Sequence, residues 1–540
     1  MNPTHPDRRT ALGLLGASGA LFAGGDALAA LPATGAFEDV RAHGARGDGT
    51  TVDSPAINRA IAAVAARGGG TVLVPPGRYL SFSIRLVDNI TLYVAAGATI
   101  IAASPDTHGA NYDPPENYLE EQFQDFGITH VHNSLIYADG ASNIALLGEG
   151  MLHGLGLDRA GPNDRWHQRD HWQSATALGI PVRDLVLRDP EEQKQVGRAN
   201  KTIGLRDCRN VRVAGLTILQ AGHFALIAHG CSNLTADGLT IDTDRDGIDI
   251  DCCRGVRVVN CTVNSPKDDA IVLKSSGALG RPVITEDVLV ANCRTSGFLM
   301  GSVLDGTYRP TDYGRGPFGR IKMGTETIGG YRNIRIADCV MNTTRGILVG
   351  IVDGGTMEDV SISGIVMHDP VNHPLFIHLG ARQRAPRGTP VGTIRRVRFS
   401  DILVSGADGR YPCGVEGLNE SPIEDASFSN IDVTSTGGGT EQDASLVPEY
   451  RHETSLEVNY LRTMPAAGFY ARNARRLTLR DSVFRTQAPD ARPTVWLSRV
   501  AGGIVDGVAS SSPAEGAVST RDSTDVAIGD LPVIARDVVA

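Results

Sequence analysis

Apolar and polar residues alternate along most of the chain in short units that repeat one another. Residues 210–218 (NVRVAGLTI) and 233–241 (NLTADGLTI) are two such units, each with an alternating strand, a turn at Gly and a second short strand. Between residues 211 and 256 the units recur every 22 to 23 residues. This spacing predicts the coils of a right-handed parallel β-helix, in which successive coils lie about 4.8 Å apart.

We therefore predict an all-β protein with a single-stranded, right-handed parallel β-helix over residues 31–505. Residues 506–540 form either its C-terminal end or a loosely packed tail. Residues in excess of the repeat are expected to form loops, and long loops between regular coils usually build the binding face. These loops fall at 104–135, 156–200, 276–286, 304–319, 370–393, 405–421 and 436–468.

One short helix is predicted ahead of the first strands, near residues 54–66. Pro55 suits its first turn, and Gly68-Gly69-Gly70 ends it. Its apolar positions fall on one face: Ile57, Ala60, Ile61 and Val64. A solenoid needs a cap over its open hydrophobic end, and we expect this helix to provide the N-terminal one.

Composition agrees with a solenoid and limits the possible partners. The 540 residues are 41% hydrophobic but only 5% aromatic, and 63 of them are glycine. This balance is typical of short aliphatic strands and tight turns. A net charge of −10 argues against nucleic acid and against a basic membrane-surface protein. An acidic substrate would have to be held by a local basic patch.

Residues 1–30 have the features of an export signal. Arg8-Arg9 precede a short apolar run at residues 11–23, and Ala27-Leu28-Ala29 is typical of a signal-peptidase site. The paired arginines favour the twin-arginine route, the alternative being a Sec signal with a basic start. The run is too short to span a bilayer. We expect a soluble, monomeric protein in the periplasm or outside the cell, with no membrane insertion.

The eight cysteines recur mostly at the same place in the repeat, as in Asp207-Cys208 and Asn292-Cys293. None of them forms a C-x-x-C pair, which would indicate zinc or redox chemistry. Small side chains stacked inside the coil explain the pattern. A chain that folds in the reducing cytoplasm before export would keep mostly free thiols.

Acidic residues mark one position of the repeat. Counting six residues forward from the start of each unit's second strand predicts one column: His223, Asp246, Asp268 and Met300. A ladder of aspartates at turns is one explanation of this column. The adjacent Asp269 favours catalysis instead, because three neighbouring carboxylates repel one another and raise each other's pKa. Such a cost is more often tolerated at a functional site than at a turn.

These motifs resemble glycoside hydrolase family 28, the pectin hydrolases. The resemblance rests on the order D-x-D-G-I-D at Asp244–Asp249, K-D-D-A-I at Lys267–Ile271 and G-R-I-K at Gly319–Lys322. Residues 37–103 are similar to the entry segment of that fold. The family's G-H-G motif is absent, since Ser296–Ser302 contains no histidine.

The resemblance implies roles for the acidic and basic residues. Asp268 would be the general acid, and Asp246 and Asp269 would hold and deprotonate the attacking water, with inversion at the anomeric carbon. Arg320 and Lys322 match the family's R-I-K. Since side chains alternate along a strand, these two cations share one side and suit a uronate carboxylate. A solvated strand face is the alternative explanation for them.

Two further residues are candidates for substrate binding. By the register His223 lies one coil from Asp246, so it either lines the cleft or packs in the coil. Arg345 falls near the same column. The loop aromatics would either stack on sugar rings or pack the loops onto the coil: Tyr112, Trp166, Trp172, Tyr308, Tyr313, Tyr411 and Tyr450.

We expect a hydrolase of a galacturonate-containing pectic polymer or its oligosaccharides, without a metal or other cofactor. The missing histidine favours rhamnogalacturonan over homogalacturonan, and the many insertions favour exo over endo action. Two alternatives remain. A calcium-dependent polysaccharide lyase would use Asp246, Asp268 and Asp269 as ligands and Lys322 as base. A non-catalytic carbohydrate-binding solenoid would need no acid doublet.

Overall fold

The protein folds as a right-handed parallel β-helix, as the repeat predicted. The computed structural model describes residues 36–116, 130–158, 197–314, 316–385, 388–449, 462–510, 518–529 and 533–535. The predicted signal segment lies outside these residues, as do Trp166, Trp172 and Tyr450. Each coil contributes strands to three parallel sheets, called sheets 1, 2 and 3 in the order in which the chain passes through them.

Sheet 1 stacks the strand that follows the Asn, Asp or Gly turn of each repeat. Its strands are Ala36–Asp39 (β1), Gly70–Val74 (β3), Ile90–Val94 (β6), Ser142–Leu147 (β9), Arg209–Ala214 (β12), Ser232–Asp237 (β15), Arg254–Val259 (β18), Thr285–Ala291 (β21), Gly330–Ala337 (β24), Ile423–Glu424 (β31) and Thr524–Ile528 (β38).

Sheet 2 stacks the short second strand of each unit. Its strands are Asp48–Val52 (β2), Gly77–Ser81 (β4), Ala98–Ala102 (β7), Met151–His153 (β10), Thr217–Leu219 (β13), Thr240–Asp242 (β16), Thr262–Asn264 (β19), Arg294–Ser296 (β22), Val340–Asn342 (β25), Val483–Ala488 (β34) and Ala509–Ser510 (β36).

Sheet 3 closes each coil. Its strands are Ile84–Arg85 (β5), Ser134–Asp139 (β8), Lys201–Arg206 (β11), Phe224–His229 (β14), Asp246–Asp251 (β17), Ile271–Ser275 (β20), Ile321–Thr327 (β23), Ile347–Ile351 (β26), Leu375–Leu379 (β28), Cys413–Glu416 (β30), Val518–Arg521 (β37) and Val533–Ala535 (β39). The last strands of the stack lie beyond residue 505, so coils continue into the segment predicted as an end or tail.

Five longer strands bend from one sheet into the next. Thr356–His368 (β27), Thr393–Ala407 (β29) and Ser427–Gly437 (β32) run from sheet 1 into sheet 2, and Phe469–Arg480 (β33) and Val495–Asp506 (β35) run from sheet 3 into sheet 1.

In the part of the chain that the structure describes, the helical segments are short. They are the 3-10 turn Val40–His43, the helix Ser54–Ala65 (α1), and the single turns Pro105–His108 (α2) and Glu441–Ala444 (α3). The helix predicted near Pro55 is α1, and its buried face lies against β1, β3, β4, β5 and β6 of the first coils. Among the residues that the structure describes, no helix is long and apolar enough to cross a membrane.

The interior of the coil is filled by the inward residues of all three sheets. Aliphatic side chains dominate, and the rings of Phe399 and Phe428 stack at a centroid distance of 5.0 Å. All eight cysteines are buried and free, as their place in the repeat predicted. On the outer surface of the coil, a ladder of hydrogen-bonded asparagines fixes the register between neighbouring coils. Asn210 and Asn233 adopt positive φ, which Asn tolerates, and each donates its amide at 2.8 Å to the Asn of the preceding coil.

Candidate active site

The acidic residues lie where two neighbouring strands of sheet 3 begin. Asp246 is the first residue of β17, and Asp269 comes two positions before β20. The register pairs Ile248 with Ile271, and the N–H of Gly247 donates to the carbonyl of Asp269 at 3.0 Å. Asp246 and Asp269 are therefore neighbours on adjacent coils.

The predicted column of aspartates is wrong in its register by one residue. Asp242 pairs with Asn264 before the turn, and Ile248 pairs with Ile271 after it. The second turn therefore holds one residue more than the first. This extra residue aligns Asp269, not Asp268, with Asp246. On the preceding coil Phe224, not His223, pairs with Asp246, so His223 is also one residue out of the predicted column.

Met300 does not belong to the column at all. The chain leaves the coil after Ser296 and returns only at Ile321. Within this excursion Phe298 forms an antiparallel bridge with Pro310. A count along the sequence could not reveal that the repeat is interrupted here.

Three of the predicted residues come together on the outer face of sheet 3. Side-chain atoms of His223, Asp246 and Asp268 all lie within 4.8 Å of one another. Nε2 of His223 is 3.4 Å from Oδ2 of Asp246. Arg245 was not predicted, yet its Nη2 lies 3.0 Å from Oδ2 of Asp268 and donates at 3.0 Å to Nε2 of His223. The structure thus places two carboxyl groups, an imidazole and a guanidinium in one cluster.

Burial controls the protonation of this cluster. It raises the pKa of Asp246 to about 6, with the Lys274 ammonium opposing the rise. It also raises the pKa of Asp268 to about 6, and the nearby Asp246 carboxylate adds to the effect. Burial, helped by the Arg245 charge, lowers the pKa of His223 well below its usual value. The cluster can therefore share one proton between two carboxyl groups beside a neutral imidazole.

Asp269 is held by the two cations of the R-I-K motif. Arg320 Nε donates to Oδ1 of Asp269, and Lys322 Nζ donates to Oδ2 at 3.1 Å. Arg320 is fully buried and Lys322 nearly so, while Ile321 points into the core. The solvated-face explanation for these two residues is therefore wrong. Their positive charges face the carboxylate of Asp269.

Arg345 lies on the next coil beside Arg320. The ring of Phe318 stands between them, with its centroid 3.5 Å from the guanidinium carbon of Arg345 and 5.2 Å from that of Arg320. Arg345 is buried and donates its backbone N–H to the carbonyl of Phe318 at 2.7 Å. The geometry is that of a cation–π contact, which fixes the start of β23.

Sequence reasoning missed a buried lysine next to the cluster. Lys274 Nζ lies 2.8 Å from Oδ2 of Asp249 and 3.8 Å from Oε2 of Glu326. The signal in the sequence is a lysine that directly follows three apolar residues within strand β20.

Beyond Lys322, the outer face of sheet 3 is apolar and covered. One register column leads from Lys322 through Leu348, Phe376 and Gly414 to Tyr470 and Trp496. The rings of Tyr470 and Trp496 stack at 5.0 Å, and all four apolar residues of the column are buried together with Met464 and Ala466. The outer face of sheet 3 is thus covered on this side of the acidic cluster.

The side chains of this cluster are poorly suited to bind a cation. His223 offers nitrogen, whereas calcium prefers six to eight oxygen ligands. The Arg245 guanidinium already bridges His223 and Asp268. A second group of three ligand-type side chains comprises Glu116, His132 and Asp139. The Glu116 carboxylate there accepts the backbone N–H groups of Val131 and His132.

Two family models match consecutive parts of the chain. Residues 37–197 match a model described as rhamnogalacturonase A/epimerase, pectate lyase-like, and residues 189–297 match glycosyl hydrolases family 28. The second match spans the aspartates of the cluster. Over these residues the chain is therefore similar to glycoside hydrolase family 28.

Individual relatives agree with this assignment. A probable polygalacturonase from Vitis vinifera is 23% identical over 413 residues, which are 72% of each chain. The exopolygalacturonase of Thermotoga maritima is similar in structure, with a TM-score of 0.56 and 23% identity over 74% of this chain and 87% of its own. The family 28 exopolygalacturonase of Yersinia enterocolitica has a TM-score of 0.51 and 17% identity over 93% and 79% of the two chains. The protein is a polygalacturonase-like glycoside hydrolase.

Proposed function

We propose that this glycoside hydrolase cleaves a galacturonate-containing pectic oligosaccharide by acid–base catalysis at Asp246, Asp268 and Asp269. The observation that carries the proposal is the pair Asp246 and Asp268, two carboxyl groups with pKa values raised by burial to about 6. Such a pair supplies one protonated acid and one ionised base near neutral pH.

Each carboxyl group has a distinct place in the reaction. Asp268 is the most exposed of the three, with 23% of its side chain accessible, and it protonates the leaving oxygen. Asp246 deprotonates the attacking water, which Asp269 helps to hold. Arg320 and Lys322 neutralise the charge of Asp269. The same two cations bind the carboxylate of a uronate in the substrate.

In this proposal His223 serves instead of the histidine that the G-H-G motif would supply. The segment Ser296–Ser302 has no imidazole to offer, but His223 reaches Asp246 from the preceding coil, at 3.4 Å. Its neutral ring contacts the acid pair and orients it. The imidazole thus reaches the site from the coil before the acids, whereas the family's G-H-G follows them in the sequence.

The proposal includes inversion at the anomeric carbon, because the resemblance to family 28 implies an inverting mechanism. Inverting enzymes usually separate their two carboxyl groups by roughly 6.5–9.5 Å to admit a water. The closest atoms of Asp246 and Asp268 are within 4.8 Å, which is short for that arrangement. Proton NMR of the first product formed distinguishes the two outcomes, since inversion and retention give opposite anomers.

We further propose rhamnogalacturonan oligosaccharides as preferred substrates and an exo mode of cleavage. The family model over residues 37–197 supports the first, and the missing G-H-G histidine agrees with it. The buried apolar column from Leu348 to Trp496 supports the second, because it leaves little room for a polymer to run past Lys322. The relatives named as exopolygalacturonases make short homogalacturonan oligosaccharides the second candidate.

A panel of defined oligosaccharides tests these points. Purified protein is incubated with rhamnogalacturonan and homogalacturonan fragments of equal length, and products are separated and weighed by mass spectrometry. We expect faster turnover of rhamnogalacturonan and loss of a terminal unit at each step. An abrupt fall in viscosity of polygalacturonate would contradict the exo mode, and release of neutral sugars alone would contradict uronate recognition.

A further inference from the structure

The guanidinium of the acidic cluster reaches solvent. Arg245 lies in the turn between β16 and β17, and 24% of its side chain is accessible, close to the 23% of Asp268. The two cations of the R-I-K motif differ in this respect. Arg320 is fully buried, 6% of the Lys322 side chain is accessible, and both contact Asp269. A carboxylate that arrives from solvent therefore meets Arg245 before it meets the other two cations.

Arg245 contacts the group to which the proposed function gives the role of acid. Its Nη2 lies 3.0 Å from Oδ2 of Asp268 and donates at 3.0 Å to Nε2 of His223. A cation at this distance favours the ionised form of a carboxyl group. A general acid must carry a proton, so the contact between Arg245 and Asp268 opposes catalysis. It has to be broken or weakened before the leaving oxygen is protonated.

The backbone that carries Arg245 is fixed by the next coil. Ser265 Oγ donates to the carbonyl of Arg245 at 2.6 Å, and the N–H of Lys267 donates to the carbonyl of Asp244 at 3.1 Å. A change of partner at Arg245 is therefore a movement of its side chain and not of the turn. The planar guanidinium has five N–H donors whose arrangement matches carboxylate oxygens, so one carboxylate can replace another as its partner.

We propose that Arg245 binds a uronate carboxylate of the substrate next to the acid, and that this exchange of partner releases Asp268 to take up its proton. The proposal rests on the function proposed above and adds a second carboxylate site to the one at Arg320 and Lys322. A pectic oligosaccharide carries more than one uronate, so both sites can be filled together. The proton comes from solvent, and Arg245 stays cationic throughout.

The charges around Asp268 agree with such an exchange. The groups that face it are His223 from the preceding coil, Asp246 and Arg245 from the turn before β17, and Asp269, whose N–H donates to Oδ1 of Asp268 at 3.0 Å. Burial and the Asp246 charge raise the pKa of Asp268 to about 6, and Arg245 opposes this rise. When the uronate adds one negative charge, the proton taken up by Asp268 removes one, so the net charge of the cluster is unchanged.

Steady-state kinetics test the binding part of the proposal, with the pectic oligosaccharide that the wild type cleaves fastest. Arg245→Gln should raise its KM about ten- to hundredfold, the effect expected for loss of a charge-assisted hydrogen bond. The carboxyl-reduced form of the same oligosaccharide, in which galactose replaces galacturonate, should bind to the variant and the wild type nearly equally. Its inhibition constant gives this comparison if it is not cleaved.

The neighbouring turn offers a matched control. Lys267 is also an exposed cation, but its Nζ lies 3.6 Å from Oδ2 of Asp244. Lys267→Gln removes the same charge and should leave KM nearly unchanged. Arg245→Lys keeps the charge without the fork and should fall between the wild type and Arg245→Gln. Arg245→Met repeats the test if Arg245→Gln does not fold.

The pH dependence separates an exchange of partner from a permanent ion pair. The alkaline limb of kcat/KM reports the acid before substrate binds, and that of kcat reports it in the complex. Exchange predicts that the wild-type kcat limb lies about one pH unit above the kcat/KM limb. Arg245→Gln should then raise the kcat/KM limb towards the kcat limb and leave the kcat limb in place. A permanent pair would raise both limbs together.

Limbs that move together in Arg245→Gln would overturn the proposal, as would equal losses of affinity for the uronate and the carboxyl-reduced oligosaccharide. A rise in KM in Lys267→Gln as large as that in Arg245→Gln would overturn it too. Failure of the proposed function is seen separately, because the wild type would then cleave no uronate oligosaccharide, or Asp268→Asn would retain activity whatever the arginine variants do.

Discussion

Replacing Asp268 with Asn is expected to abolish most activity and to stabilise the fold at alkaline pH. An amide cannot protonate the leaving oxygen, and general acid catalysis is worth about 10²–10⁴-fold in rate. The amide also stays neutral, so it relieves the repulsion with Asp246 that contributes to the raised pKa of Asp268.

The size of the stabilisation follows from the pKa. A group whose pKa is raised on folding contributes stability at pH values below its ordinary pKa and loses that contribution as pH rises through its folded pKa. For Asp268 the change from 3.8 to about 6 makes the ionised form cost up to about 3 kcal/mol. This net shift already includes the attraction of Arg245, so the amide should recover about 1–3 kcal/mol at pH 8. With an unfolding entropy of about 2 cal/mol/K for each of roughly 500 residues, the Tm rises by about 1–3 °C.

Differential scanning fluorimetry and a reducing-sugar assay measure both effects. The gain in Tm should be present at pH 8 and vanish near pH 4, where both residues are neutral. Asp244→Asn is the matched control, because it makes the same change at another buried aspartate of the segment that carries Asp246, and it should retain activity. Near-full activity of Asp268→Asn would remove Asp268 from the acid's role, and a lower Tm at pH 8 would refute the electrostatic reasoning.

Three other outcomes are expected. Lys322→Met should raise KM for uronate-containing substrates far more than it raises KM for any neutral analogue, as steady-state kinetics would show; equal effects would place the lysine away from the substrate. Ile271→Ala opens a cavity between stacked coils and should cost about 2–5 kcal/mol in urea unfolding, whereas the exposed Leu403→Ala should cost little. Neither dithiothreitol nor a metal chelator should change Tm or kcat, because the cysteines are free and the chemistry uses carboxyl groups; a fall in either would point to a disulfide or a bound cation.

Much of the fold was predictable because the repeat is a local signal. Alternating apolar positions, Asn or Gly at the turns and a period of 22 to 23 residues fix the strands and their order. The helix near Pro55 was predictable for the same reason. The apolar column from Leu348 to Trp496 was not, because its cover comes from Met464 and Ala466, which are far from Leu348 and Phe376 in the sequence.

The site shows where counting along the sequence fails. One additional residue before β20 moves Asp268 out of line with Asp246, and no property of that residue type marks the insertion. The prediction for Met300 was wrong because the sequence of this excursion from the coil resembles that of a strand, and only the pairing of Phe298 with Pro310 distinguishes the two. The contacts of Lys274 with Asp249 and Glu326 arise from three different coils, so their charges could not be matched from spacing alone.

Hydrolysis in water enriched with heavy oxygen tests the central claim most directly. A pectic oligosaccharide of the preferred type is digested in that water, and the products are weighed by mass spectrometry. The account predicts that each cleavage incorporates one heavy oxygen at the new reducing end, without ultraviolet absorbance and without added calcium. Products lighter by one water, unlabelled and absorbing in the ultraviolet, would show that the protein is a lyase and would contradict the roles given to Asp246 and Asp268.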